Sequence, residues 1–153
     1  MFRNLLSRLF SEEATDTKLS TQDAEVAIAA LLVRLARADD HYGKAEKTRI
    51  DLILANRRNL DPEDAAEQRA AAEMIEAEAP DTVRFTRLIK DRIPLDVRTG
   101  VIEALWSVAY ADGRRSAHED SFVRLISGLL GVTDVDSGIA RQKVLKDLGI
   151  NEK

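Results

Sequence analysis

Two short segments each place an aspartate seven residues before a glutamate, and carboxylates spaced in this way could hold a divalent cation. The first segment reads LARADDHYGKAE and the second reads VAYADGRRSAHE. Carboxylate oxygens are the ligands that calcium and magnesium prefer, often with help from a backbone carbonyl or water. The candidate metal ligands are Asp39, Glu46, Asp112 and Glu119. Calcium, magnesium, manganese and zinc are the candidate ions, and the sequence leaves the identity of the cofactor unknown.

The same acids also have a structural explanation that needs no metal. Ser116 and Glu119 have the spacing of a capping box, in which the glutamate accepts a hydrogen bond from a backbone N–H at the helix start. Gly43 and Glu46 have the same spacing with a weaker cap. Asp112, in contrast, follows a predicted helix, and negative charge at a helix C-terminus costs about 0.3–1 kcal/mol. Either backbone N–H groups of the loop or a cation would compensate that cost.

Other metal motifs fit the two segments less well. Neither contains the D-x-[DN]-x-[DN]-G-x₅-E pattern of an EF-hand loop. The two histidines, His41 and His118, both occur in these segments and would suit zinc or another transition metal. Histidines in loops of ordinary domains are, however, usually only solvated.

The two acidic segments belong to a longer internal repeat with an offset of 73 residues. Seven of 24 aligned pairs are identical between residues 31–54 and 104–127, including both acids. The identical pairs are Leu32/Leu105, Ala36/Ala109, Ala38/Ala111, Asp39/Asp112, Glu46/Glu119, Leu52/Leu125 and Ile53/Ile126. The repeat also aligns Asp61 with Asp134, each a candidate N-cap. We therefore expect two halves related by a pseudo-two-fold axis.

The elements that must position these acids are predicted to be helices. The 153 residues are 44% apolar and 33% charged and include only seven glycines and three prolines, which favours helix over sheet. Apolar spacing predicts about seven helices, near 21–38, 44–56, 62–79, 81–92, 94–111, 116–130 and 134–148. The fold class is thus all-α. Trp106 is predicted to be a core residue, and Val83 and Val97 are assigned to buried helix faces.

Composition also limits the classes of function that the chain could have. The chain has no cysteine, which excludes disulfides and thiol catalysis and fits a cytoplasmic protein. A net charge of −4 and a pI near 5.3 argue against a nucleic-acid partner. No apolar run approaches the ~20 residues that a membrane-spanning helix needs. One basic set could nevertheless contact nucleic acid and is more simply a solvated helix surface: Arg84, Arg87, Lys90, Arg92 and Arg98.

The chain divides into three segments by pattern. Residues 1–10 have apolar side chains at helical spacing, with Arg3 and Arg8 on other faces. Such a short amphipathic helix would dock on its own domain or on a partner, or make weak contact with a membrane surface. Residues 11–20 are a polar linker, and residues 21–150 form the helical domain.

The quoted segments resemble the tellurite-resistance TerB-like family. The likeness is strongest in LWSVAYADG followed by Glu119, and LLVRLARADDHYGKAE resembles the first such segment of the family. It covers about residues 24–148. The resemblance implies a compact, internally duplicated helical domain of a cytosolic bacterial protein linked to tellurite and other stress responses. It also implies acidic clusters suspected of binding divalent metal. The chain departs from the family pattern at Asp40, where glycine is usual, and at Gly43 and Ser116, where aspartate is common.

These observations predict a non-catalytic scaffold or adaptor in a stress response, with protein partners and an acidic divalent-metal site. The chain has no glycine-rich phosphate loop and no H-E-x-x-H motif. The alternative is a carboxylate-based, metal-dependent hydrolase, because acids alone can hold a metal that activates water. The sequence does not give the oligomeric state.

Overall fold

The computed structural model describes residues 21–38, 42–78, 81–112 and 117–150, and these residues form seven helices and no strand. The helices are α1 (Thr21–Arg37), α2 (Lys44–Arg58), α3 (Pro62–Glu78), α4 (Thr82–Arg92), α5 (Leu95–Ala109), α6 (Ala117–Leu129) and α7 (Asp134–Leu148). The predicted all-α fold is confirmed. The predicted N-terminal helix and linker, residues 1–20, lie outside the described residues.

Polar residues begin three of the helices. The Asp61 side chain accepts a hydrogen bond from the Asp64 N–H at 2.8 Å, so its predicted capping role is confirmed. The Asp81 side chain caps α4 in the same way. The prediction for Asp134 is wrong, because Thr133 has the extended backbone of an N-cap and accepts the Asp136 N–H at 3.1 Å. Asp134 is instead the first helical residue, where the helix dipole favours an acid.

A glycine ends α6. Gly131 has a φ of +75°, a conformation that residues with a Cβ atom rarely adopt. Its N–H donates to the Gly128 carbonyl at 3.2 Å, and the Val132 N–H donates to the Ser127 carbonyl at 2.8 Å. These two bonds form a Schellman motif, which satisfies carbonyls that the helix end would otherwise expose.

Helix α1 lies at the centre of the domain and is buried on all sides rather than along one stripe. It packs mainly against α3 and α4, and it also contacts α2, α5 and α6. The buried α1 residues include Ala24, Val26, Ala27, Ile28, Ala29, Ala30, Leu31, Leu32, Val33, Leu35 and Ala36. The alanines leave room for several helices to approach closely around it.

The arrangement of the helices agrees with the offset found in the sequence. Shifting α1, α2 and α3 by 73 residues gives ranges that begin within one residue of the starts of α5, α6 and α7. Within the described residues, α1 packs against α3 as α5 packs against α7, and α1 and α5 contact each other. The pseudo-two-fold axis itself stays a prediction.

Two apolar residues lie outside the core where we expected them inside. Val83 and Val97 are 43% and 44% exposed. Each occurs in the first turn of its helix, α4 or α5. None of the helices in the described part of the chain has the length and apolar content needed to span a bilayer.

Candidate functional site

The first acidic connection joins α1 to α2, and its glutamate is buried. Glu46 lies in the first turn of α2 and is 7% exposed. Its Oε1 atom accepts a hydrogen bond from the Gly43 N–H at 2.7 Å. This is the backbone contact of a capping box. A glycine has no side chain to return the second bond, so the box is only half present.

The second acidic connection, between α5 and α6, repeats the buried glutamate. Glu119 is in the first turn of α6 and is 5% exposed, whereas Asp112 lies beyond the end of α5 and is exposed. Asp39 lies outside the described residues. In the part of the chain that the structure describes, no three His, Asp or Glu side chains cluster closely enough to hold a metal ion. A cation held by the candidate acids therefore stays a prediction.

Tyr42 anchors the first connection to the rest of the domain. Two cations contact its ring, with the Arg37 guanidinium 5.2 Å and the Lys47 ammonium 5.1 Å from the ring centroid. Its hydroxyl donates a hydrogen bond to the Glu73 carboxylate on α3. Two cation–π contacts and a charged acceptor at the hydroxyl fix the ring, and with it the chain directly before α2.

Arg69 extends this anchor to α2. It donates to Asp51 on α2 at 2.6 Å and to Glu73 at 2.8 Å. Glu73 thus joins Tyr42 from the connection to Arg69 from α3, and Arg69 joins both to α2. We call Tyr42, Asp51, Arg69 and Glu73 the tyrosine anchor.

A second ion cluster ties α1 to α3 and α4. The Arg34 Nε donates to Glu76 at 3.0 Å, and another Arg34 nitrogen donates to the Thr82 hydroxyl at 2.9 Å. Arg37 also pairs with Glu76. The Glu76 side chain is 12% exposed and compensates two arginines at once. Because Arg37 also stacks on Tyr42, this cluster adjoins the tyrosine anchor.

The tyrosine anchor shifts the pKa values of its members. Partial burial, followed by the hydrogen bond to Glu73 and the charge of Glu73, raises the pKa of Tyr42 above its usual 10.0. Burial opposes ionisation of Glu73, but hydrogen bonds from Tyr42 and Arg69 and the Arg69 charge outweigh it and lower the pKa of Glu73 below 4.5. The folded state thus favours a neutral Tyr42 and an ionised Glu73.

Replacing Tyr42 with Phe should cost about 1–2 kcal/mol of unfolding free energy at neutral pH, because the ring is kept and one hydrogen bond to a charged acceptor is lost. The difference between wild type and Tyr42→Phe should shrink above pH 10, where the unfolded tyrosine ionises first. It should also shrink as the pH falls below 4.5, where the unfolded Glu73 binds a proton first. Urea unfolding of both proteins across this pH range provides the measurement. A pH-independent difference would contradict the described hydrogen bond.

Trp106 lies in the core of the second half and is 4% exposed. Its indole Nε1 donates to the carbonyl of Ser137 at 3.1 Å and is 3.2 Å from the Ser137 hydroxyl. The Tyr110 ring centroid lies 6.3 Å from the Trp106 ring centroid. Trp106 also borders a cleft of about 290 Å³ between α5, α6 and α7, which Arg124 and Arg141 line as well.

One residue of the basic set from the sequence points inward. Arg98 donates to the Ile93 carbonyl at 2.8 Å, the Leu130 carbonyl at 2.9 Å and the Lys90 carbonyl at 3.2 Å. Its guanidinium therefore caps carbonyl groups at the ends of α4 and α6. Arg98 has a structural role that the sequence reading of a solvated surface missed.

Few features of the sequence predict the tyrosine anchor. Tyr42 stands inside a quoted acidic segment, but Glu73 and Arg69 occur about 30 residues later on an alanine-rich helix. Their only local signal is the spacing of four residues, which places an Arg and a Glu on one helix face. The partner that they share with Tyr42 becomes apparent only once α2 and α3 are packed together.

Comparison with known proteins decides the family. A family model described as "Tellurite resistance protein TerB" matches residues 25–142. The chain belongs to the TerB family. The TerB match contains all four candidate acids, the tyrosine anchor and Trp106, and it ends within α7. No curated protein and no solved structure matches this TerB-family chain.

Proposed function

We propose that this TerB-family chain is a non-catalytic cytosolic scaffold or adaptor in a bacterial stress response related to tellurite resistance, and that a divalent cation at its acidic connections regulates it. The observation that carries the proposal is the burial of Glu46 and Glu119 at equivalent first-turn positions. Family membership supports the biological setting. The burial of Glu46, for which one N–H donor is described, supports the cation.

A buried carboxylate is costly unless hydrogen bonds or an opposite charge compensate it. For Glu46, the described compensation is one N–H at 2.7 Å on Oε1 together with the favourable dipole of the α2 N-terminus. A hard cation bound by Glu46 and by the acids of the preceding connection would add to that compensation. The tyrosine anchor would hold this connection in place before the ion arrives, which reduces the ordering cost of binding.

The adaptor role is supported by the outer faces of α2 and α6. Leu52 on α2 is 56% exposed and Leu125 on α6 is 54% exposed, and the two leucines are equivalent in the 73-residue repeat. Both helices begin at an acidic connection. A cation that fixes the first turn of α2 or α6 would therefore also fix the helix that presents the exposed leucine to a protein partner.

Replacing Asp112 with Asn should remove most of the cation affinity, because the change keeps an acceptor oxygen and removes the charge that holds a hard ion. We expect calcium, magnesium, manganese or zinc to raise the wild-type melting temperature relative to EDTA, and to raise that of Asp112→Asn much less. Thermal unfolding of each protein with each ion is the measurement. Asp91→Asn, an exposed acid on α4, is the matched control and should respond like wild type.

Two outcomes contradict the cation part of the proposal. If no ion stabilises wild type, the acids serve only as backbone staples, and Asp112→Asn should then cost only about 1 kcal/mol. If the ion stabilises Asp112→Asn as much as wild type, it binds elsewhere. Ion-dependent hydrolysis of phosphate or carboxylate esters that Asp112→Asn abolishes would overturn the non-catalytic part and favour the hydrolase alternative.

A further inference from the structure

The proposed function does not use a groove between α2, α5 and α7, which is lined in part by apolar side chains. Ile53 of α2, Ala104 of α5 and Val144 and Leu148 of α7 line it. Its volume is about 230 Å³. An apolar cavity of ~150 Å³ can hold a benzene ring, so the groove has room for an aromatic or branched side chain.

One wall of the groove is fixed by an ion pair with α1. The Arg57 side chain lines the groove and is held by Glu25, with nitrogen–oxygen distances of 3.0 Å and 2.9 Å. Both side chains are largely buried, at 18% and 14% exposure. Glu25 is four residues from the start of α1, a distance of about 6 Å along the helix axis. The groove therefore lies close to the point where residues 1–20 join the domain.

Residues 2–10 have the composition of an occupant for this groove. Five of these nine residues are large and apolar: Phe2, Leu5, Leu6, Leu9 and Phe10. At helical spacing they form one stripe. An isolated helix of nine residues is marginal in water, so contact with an apolar surface would stabilise such a helix.

The length of the linker and the charge beside the groove are compatible with docking of residues 2–10. Residues 11–20 can span at most about 33–36 Å when extended, several times the ~6 Å along the axis from the start of α1 to Glu25. At the α7 end, the exposed Asp147 borders the groove. Lys143 nearby pairs with Glu103 at 3.0 Å and also interacts with Asp147, so these two carboxylates and one lysine leave a net negative charge. Arg3 or Arg8, which flank the apolar stripe, complement that charge.

We propose that residues 2–10 dock as an amphipathic helix into the groove formed by α2, α5 and α7 of the same chain. Phe and Leu side chains of the stripe contact Ile53, Ala104 and Val144. This surface is separate from the acidic connections, so the inference does not depend on the proposed function.

Spin labelling of the full-length protein tests the docking directly, because the chain has no cysteine of its own. A single Asn4→Cys substitution puts a nitroxide on the face opposite the apolar stripe. We expect the label to remove the amide NMR signals of groove residues such as Ala104 and Leu148 selectively. The signal of Met74, an exposed residue on α3 that does not line the groove, should remain.

Two glycine substitutions provide a matched pair. Gly100 lines the groove, and a Cβ atom there would meet nothing closer than an Arg57 nitrogen at 3.7 Å, so Gly100→Leu fills the groove without a backbone clash. Gly128 is exposed on α6 with nothing within 4 Å. Both changes raise helix propensity similarly. In the labelled protein, Gly100→Leu should restore the Ala104 and Leu148 signals, and Gly128→Leu should not.

A variant of residues 2–10 and an experiment that mixes labelled with unlabelled protein complete the test. Leu5→Asp with Leu9→Asp should also restore the groove signals, because it interrupts the apolar stripe. Uniform or absent broadening, or equal effects of the two glycine variants, would overturn the proposal. Broadening of unlabelled, ¹⁵N-enriched protein by labelled copies would show that a second copy is the occupant. Groove signals that are lost only with vesicles of anionic phospholipid would assign the segment to a membrane surface. Either result rejects docking within one chain.

Discussion

Truncation of Trp106 to Ala should lower the unfolding free energy by about 3–5 kcal/mol. The side chain is 4% exposed, so the substitution leaves a cavity that the packed helices α5 and α7 can close only in part. The Ser137 carbonyl also loses its indole donor at 3.1 Å. For a domain of this size such a loss is a large fraction of a typical total stability.

Trp106→Phe separates the contribution of the packed ring from that of the hydrogen bond to Ser137. It keeps an aromatic ring in the core but removes the Nε1–H donor, so it should cost clearly less than the alanine variant. Chemical denaturation followed by far-ultraviolet circular dichroism is the suitable measurement, since both variants lack the only tryptophan of the chain. An unchanged midpoint for Trp106→Ala would mean that the residue is not in the core.

Replacement of Glu76 by Ala should cost about 2 kcal/mol, although no apolar contact of the core is removed. Glu76 is the shared partner of Arg34 and Arg37, and its own side chain is 12% exposed. Without it, Arg34 is left largely buried at 19% exposure and loses a charged acceptor, while the Thr82 hydroxyl and the Glu76 carbonyl, both neutral, remain. Loss of one partner from a buried ion pair costs more than the pair itself contributes.

Glu78→Ala is the matched control for this prediction. Glu78 occurs in the same last turn of α3 but is exposed, and an acid at a helix C-terminus is disfavoured by the dipole. Its removal should leave stability unchanged or slightly raised. Urea titrations of wild type and the two variants provide the comparison. Equal stabilities for Glu76→Ala and wild type would show that solvent compensates the two arginines as well as the carboxylate does.

The sequence predicted the helices well because their ends are marked by residues with local roles. Pro62 and Pro94 stand at or beside helix starts, and Gly131 adopts the left-handed conformation that terminates α6. The errors occurred where tertiary packing determines whether a residue is buried. The all-round burial of α1 has no distinct period, since alanine is compatible with either an exposed or a buried helix face. Val83 and Val97 have the right spacing for burial, yet they are 43% and 44% exposed.

The candidate site was predictable only in part, for a similar reason. The first-turn position of Glu46 and its bond to the Gly43 N–H follow from a spacing of three residues, which the sequence contains. The depth of its burial does not, since it depends on how α2 packs against other helices. The contacts of Tyr42 with Glu73 join residues 31 positions apart, and no local pattern specifies such a pair.

The central position of α1 also determines how the domain can open. Helices from both parts of the chain surround α1. Its neighbours include α3 and α4 from the first part and α5 and α6, which follow them in sequence. No single helix can detach and expose the whole of α1 to water. Amide protons in the middle of α1 can therefore exchange with solvent deuterium only when most of the domain unfolds at once, and they report its global stability. In this fold the first described helix is also the last to become accessible.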